Sequence, residues 1–273
     1  MYKYNLKVES GMHPDKVVNF AKPALLGKSV TVQPTIVDLR NKINIIYDQG
    51  QLGSCTANAL CYSFIYNDYT HNPSRLFLYY NERMLDKNIL NDAGSTLTQG
   101  INALIRYGVC SEQYCPYIIS NFTKKPSSVA YTDGLKHTVL GSSRVLQTLD
   151  SLKGCLIAGY PFVVGIYVYS SFESDVVTNT GYVPLPNVNT EQLLGGHAVI
   201  CVGYNDTNKV WIMRNSWGPN WGDRGNFYLP YNYLLNTSLS GDVWKITQVK
   251  VLPKNVKIKI NQINQNTKHL GKY

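Results

Sequence analysis

No stretch of this sequence approaches the roughly 18 consecutive apolar residues that a membrane span requires. The opening run Met1-Tyr2-Lys3-Tyr4-Asn5-Leu6-Lys7-Val8-Glu9 lacks the apolar core of a secretory signal. The chain therefore reads as intracellular, and the sequons at Asn121, Asn205 and Asn236 are expected to stay unmodified. Cys110 and Cys115 could form half of a zinc site, but no histidine or second cysteine pair lies nearby, so no metal is expected. Acidic residues are missing from Lys250 to Tyr273, where lysines at 250, 254, 257, 259, 268 and 272 supply six of the nine net positive charges. A solvated tail is the plain reading of that stretch. Its alternative, weak attachment of an anionic partner, is disfavoured because no aromatic residues interleave the lysines.

What is present is enough apolar sequence for one compact two-lobed unit or two small domains, expected to act as a monomer. Frequent Asn, Lys, Ile and Tyr suggest an AT-rich coding genome, microbial or viral; a viral source would place the protein in the virion or host cytoplasm. Cys61, Cys155 and Cys201 fall inside apolar periodic runs and read as small core residues with free thiols; Cys110 and Cys115 are the pair whose state is most open.

The segment that concentrates chemistry is Gln49-Gly50-Gln51-Leu52-Gly53-Ser54-Cys55-Thr56-Ala57-Asn58-Ala59. Gly50 and Gly53 bend the backbone, Ser54 suits an N-cap, and Leu60, Cys61, Phe64 and Ile65 recur at helical spacing through Tyr69, which sets Cys55 in a first helical turn. A helix end supplies at most about 2 kcal/mol, or roughly 1.5 pKa units, so a thiol near ~8.5 still needs a cationic neighbour to be mostly thiolate at neutral pH. Of five histidines only His197 has a suitable setting, with Gly195 and Gly196 before it and a β-rich run after it. Asn215 and Trp217 follow a second strand-like run, and an amide with an indole can orient and shield an imidazole.

These blocks resemble the papain family of cysteine peptidases, the relatives of the cathepsins, in a divergent form with Gln-Gly-Gln-Leu-Gly-Ser-Cys-Thr at the nucleophile. The order Gln49, Cys55, His197, Asn215 matches, with 142 positions (197 − 55) from cysteine to histidine and 160 (215 − 55) to asparagine. The resemblance runs from Val37-Asp38-Leu39-Arg40 to about residue 250. It includes Arg75-Leu76-Phe77-Leu78-Tyr79-Tyr80, Tyr107-Gly108-Val109 and Cys115-Pro116-Tyr117. Leu52 and Thr56 depart from it: the family commonly has cysteine at the first and an aromatic at the second, so the usual disulfide beside the nucleophile is missing and rigidity is expected from packing.

The resemblance implies an α+β, papain-like two-lobed fold. A helical lobe spans about 36–140 and an antiparallel β-barrel lobe about 141–252, with the cleft between them. Residues 1–35 form a short extension, either a propeptide or arm over the cleft or one packed away from it, and residues 253–273 are the basic tail. The implied activity is that of an endopeptidase without cofactor, acting on protein or peptide substrates. Cys55 attacks as thiolate, His197 is its imidazolium partner, Gln49 and the Cys55 N–H hold the oxyanion, and Asn215 orients His197. Gly94, Ser95, Gly196 and Trp217 are the expected substrate contacts. Still open are an inactive binding protein on the same fold and a non-hydrolytic acyl transferase.

Overall fold

The computed structural model describes residues 2–7, 17–18 and 33–251; the Lys-rich tail and most of the first 35 residues lie outside the described residues. Four helices come first in the body of the chain: α1 (Cys55–Ile65), α2 (Arg75–Leu85), α3 (Leu97–Arg106) and α4 (Ser128–Gly134). Every residue of α1 is buried. A helix enclosed on all sides is a core element, and α1 is held between α2 and α3 on one side and the sheet on the other. It ends at Ile65 rather than running on to Tyr69. Asn67 Nδ2 donates back to Ser63 O at 3.0 Å, and the Asp68 carboxylate accepts from Thr70 N at 3.0 Å, a local turn that competes with the helix.

Side-chain caps fix the other two long helices. Ser74 Oγ accepts from Phe77 N at 3.1 Å and Thr96 Oγ1 from Gln99 N at 3.0 Å. Gly108, at φ +65°, closes α3 by donating its N–H to Leu104 O at 3.1 Å, a left-handed exit that other residues take at a cost.

The sheet is built from β1 (Val17–Val18), β2 (Ile36–Asp38), β3 (Val139–Val145), β4 (Phe162–Tyr169), β5 (Leu193–Asn205), β6 (Val210–Arg214), β7 (Asn226–Pro230) and β8 (Ser240–Val249). Helices α5 (Leu149–Ile157), α6 (Asp175–Thr180) and α7 (Tyr231–Leu235) lie between its strands. The strand order is β1-β3-β8-β4-β5-β6-β7, with β2 added to β5. The expected barrel is thus an open sheet, because no pairing joins the β7 end to the β1 end among the described residues. Every pairing is antiparallel except that of β1 with β3.

The two halves are stitched beneath the cleft. Gln49 N donates to Ser216 O at 2.8 Å and Gly218 N to Tyr47 O at 2.9 Å. The buried Arg214 guanidinium donates to Ile43 O at 2.7 Å and Arg40 O at 3.2 Å. All six cysteines are free thiols, so no disulfide holds this junction, and an ion pair between Arg40 and Asp223 at 3.1 Å adds to its hydrogen bonds.

Candidate active site

Cys55 is the first residue of α1, and the Gly50 turn at φ +58° delivers the chain to it. Ser54 does not cap the helix with its side chain. Its hydroxyl instead pairs with Tyr117 Oη at 2.5 Å and accepts from Asn58 Nδ2 at 3.0 Å, while Tyr117 Oη also donates to Gln49 O at 3.0 Å. The loop is therefore braced from outside. Gln49 is buried, with its side-chain oxygen accepting from Ser216 Oγ at 2.6 Å and Nε2 donating to Leu52 O at 3.0 Å. One Nε2 hydrogen remains uncommitted by these bonds.

His197 lies within β5, opposite Ile166 of β4, and is fully buried. Its Nε2 is 2.8 Å from Asn215 Oδ1, which also accepts from the Ser216 N–H at 2.8 Å. A backbone N–H can only donate, so the atom facing both must be the amide oxygen, and Nε2 must carry the imidazole proton. The neutral ring then has its basic lone pair on Nδ1, which is buried without a partner among the described residues. Trp217 covers the pair, its indole 5.0 Å from the imidazole at 26°.

Burial sets the charge state. It pushes the Cys55 thiol up to about 12, opposed by a backbone hydrogen bond from Ala198, the neighbour of His197, and by one from Thr56. It also pulls His197 down to about 4 against the favourable bond to Asn215. In this covered form burial favours the neutral state of both groups. Thr56, where an aromatic is usual, donates to the buried Glu82 carboxyl at 2.6 Å, whose pKa is raised to about 8 by burial.

The cover is the chain's own segment 2–7, lying extended along the cleft. Its side chains alternate between the walls. Tyr2 stacks on Trp217, Tyr4 meets His197 edge-on with centroids 6.1 Å apart, and Leu6 is buried beside Gly196. On the other side Lys3 pairs with Asp92 at 2.6 Å and Asn5 Nδ2 donates to Asp92 O at 2.8 Å. The backbone is bonded to both walls, Leu6 N to Gly196 O at 3.0 Å and Lys7 N to Ser95 O at 3.1 Å. Two glycines permit this approach: a Cβ on Gly94, itself at φ +66°, would stand 1.8 Å from Asn5 O, and one on Gly196 2.5 Å from Leu6 O. All four expected substrate contacts, Gly94, Ser95, Gly196 and Trp217, thus touch this segment.

Sequence reading missed Ser216, Tyr117 and Asp92. Asp92 Oδ1 accepts from Gly53 N at 2.9 Å and from Tyr79 Oη at 2.6 Å, so a carboxylate ties down the loop that lacks the disulfide, where packing alone was expected. It also missed the strand signal of the first residues, Tyr-Lys-Tyr-Asn-Leu-Lys, whose alternation of apolar and polar residues is that of an extended segment between unlike surfaces.

Comparison with known proteins places the chain in a family. The chain is 38% identical over 264 residues to the uncharacterized peptidase C1-like protein L477 of Acanthamoeba polyphaga mimivirus, covering 86% of this chain and 85% of that one. It is 29% identical over 208 residues to cysteine proteinase 3 of Entamoeba histolytica, covering 74% and 64% respectively. Among solved structures, xylellain, a cysteine protease from Xylella fastidiosa, superposes with a TM-score of 0.75 at 39% identity, over 80% of this chain and 87% of that one. Residues 33–240 match the papain family cysteine protease pattern, and with these relatives the chain belongs to that family and is a cysteine peptidase.

Proposed function

We propose that this protein is an endopeptidase in which Cys55 is the nucleophile, His197 the acid and base, Asn215 the group that orients it, and Gln49 an oxyanion donor. The observation that carries the assignment is the bond from His197 Nε2–H to Asn215 Oδ1, which leaves Nδ1 as the basic atom of a ring whose neighbour Ala198 hydrogen-bonds the Cys55 thiol through its backbone. The Cys55 proton passes to Nδ1 as sulfur attacks the substrate carbonyl carbon. Negative charge gathers on the carbonyl oxygen, where the free Gln49 Nε2–H and the Cys55 N–H receive it. The carbon–nitrogen bond then breaks, and the leaving amine takes the proton from Nδ1. Water attacks the thioester, gives its proton to the ring, and the thiol is restored.

In the same reading, residues 36–252 are the peptidase domain and Tyr2–Lys7 a cover that must leave before substrate enters. Incubation with unstructured protein substrates, analysed by product mass, tests the activity. Hydrolysed internal peptide bonds, abolished in Cys55→Ala, support it. Ligated rather than hydrolysed products would replace it with acyl transfer, and equal activity in Cys55→Ala would refute it.

A further inference from the structure

The cleft carries carboxylates although the chain as a whole bears a net charge of +9. Asp48 stands beside Trp217, Glu173 accepts from Tyr4 Oη, and Asp92 receives Lys3. Asp92 is the most firmly held of the three. Its side chain is only 11% exposed, with Oδ1 occupied by the Gly53 N–H and by Tyr79 Oη, itself a buried phenol. Oδ2 is left turned to the groove, with Lys3 Nζ at 2.6 Å and a longer contact of 3.2 Å from Gly53 N. The nearby Arg83 guanidinium does not take that oxygen: it is spent on the carbonyls of Ile89, Asn91 and Phe122. A clamp requires one carboxylate oxygen, and this residue offers a second one to whatever lies in the cleft.

We propose that Asp92 reads charge in the substrate, its Oδ2 receiving a lysine or arginine side chain from a peptide in the groove, as it now receives Lys3. The inference rests on the cleft being the substrate path. It gives the substrate class a feature that the apolar contacts of Tyr2, Tyr4 and Leu6 do not: a basic residue on the face of the peptide turned toward Gly53 and Gly94, with apolar residues on the opposite face. Because the same carboxylate holds the nucleophile loop, Asp92 is both a specificity residue and a positioning residue.

The test uses the full chain carrying Cys55→Ala, which prevents turnover, and Tyr2→Ala with Tyr4→Ala, which loosen the cover. The probes are the labelled hexapeptide Tyr-Lys-Tyr-Asn-Leu-Lys and its analogue with norleucine for the first lysine, their binding followed by fluorescence polarisation. The lysine peptide should bind about fivefold tighter, the upper end for a partly exposed ion pair, and the advantage should shrink in high salt. Asp92→Asn keeps an oxygen for Gly53 N–H and Tyr79 Oη but removes the charge, and should bring the ratio to about one. A ratio near one from the outset, a ratio untouched by Asp92→Asn, or no binding of either peptide would overturn the proposal. Failure of the peptidase reading would look different: the peptides would bind as stated, and the chain with Cys55 intact would cleave nothing.

Discussion

The ring of Tyr2 lies parallel to the indole of Trp217, with centroids 4.4 Å apart and planes 4° from parallel, and Tyr2 Oη donates to Trp217 O at 3.0 Å. The indole therefore stacks against both His197 and part of the chain's own cover.

Access to the thiol should depend on this stack. A buried aromatic pair contributes about 0.5–1.5 kcal/mol beyond the area it covers, and each tenfold change costs about 1.4 kcal/mol. Tyr2→Ala with Tyr4→Ala should therefore raise the rate of Cys55 alkylation by iodoacetamide by about tenfold or more. Peptide mapping by mass spectrometry identifies the labelled cysteine. An unchanged rate in a folded double variant would mean that residues 2–7 do not control entry.

The pH profile should move with the cover. Burial raises the Cys55 thiol to about 12 and lowers His197 to about 4, so both are neutral between those values while the segment is in place. Uncovering the pair removes part of the desolvation penalty, which favours the thiolate and the imidazolium together. The alkylation midpoint of the Tyr2→Ala, Tyr4→Ala chain should fall toward or below the ordinary thiol value of about 8.5, whereas that of the native chain should stay well above it. Coincident profiles would contradict the account.

Ser216 should matter through Gln49. Its hydroxyl holds Gln49 Oε1 at 2.6 Å and so fixes where Nε2 points. Gln49→Ala should lower kcat by about 10²- to 10³-fold, the usual consequence of losing one oxyanion donor. Ser216→Ala, which leaves the amide held only by the Nε2 bond to Leu52 O, should cost about tenfold in kcat with little change in KM. Steady-state kinetics on one peptide substrate measures both, and full activity in Ser216→Ala would remove it from the positioning machinery.

Far from the thiol, His71 and His137 stack with ring centroids 3.8 Å apart at 15°. His71 Nε2 donates to Val109 O at 2.9 Å; burial, and then the adjacent His137, hold it down to about 4, against smaller opposing contributions from Asp68 and Asp133. His137 is also lowered by burial, with Asp133 and Asp68 opposing and Lys136 assisting. The unfolded chain takes up these protons first, near pH 6.5, so stability should be complete above that pH and decline as pH falls toward about 4. His71 alone contributes up to about 3 kcal/mol to that decline. Urea midpoints at pH 7 and pH 4.5 should differ less in His71→Gln than in the native chain, and an equal difference would exclude the pair as the cause.

The four groups proposed for the chemistry stand out in the sequence because the spacing of the cysteine, histidine and asparagine blocks is specific and because glycine, amide and thiol occur together at Gln49–Cys55. The run Phe162–Tyr169 reads as a buried strand from its unbroken apolar composition, and β4 occupies those residues. What the sequence concealed is long-range. Asp92 meets Gly53 across 39 positions and Ser216 meets Gln49 across 167, and no local pattern marks either partner. Ser54 illustrates the opposite failure: a good capping residue by type, it is drawn off by Tyr117, 63 positions away. The alternation in Tyr2–Lys7 is a strand signal that went unread, and a strand would in any case not name the surfaces on either side of it.

Val17 and Val18 pair in parallel with Arg144 and Val145 of β3, and Leu146 N donates to Val18 O at 3.0 Å. Tyr2–Lys7 and Val17–Val18 are thus attached to the body at two separate places and are joined through the chain itself. A ligand joined in this way does not dilute when its working end lets go: over a short link its effective concentration is on the order of millimolar. Any peptide entering the cleft would compete against that standing concentration for as long as the link is whole. One cut within the link would convert the competitor into a free peptide at the concentration of the protein itself, making release effectively permanent.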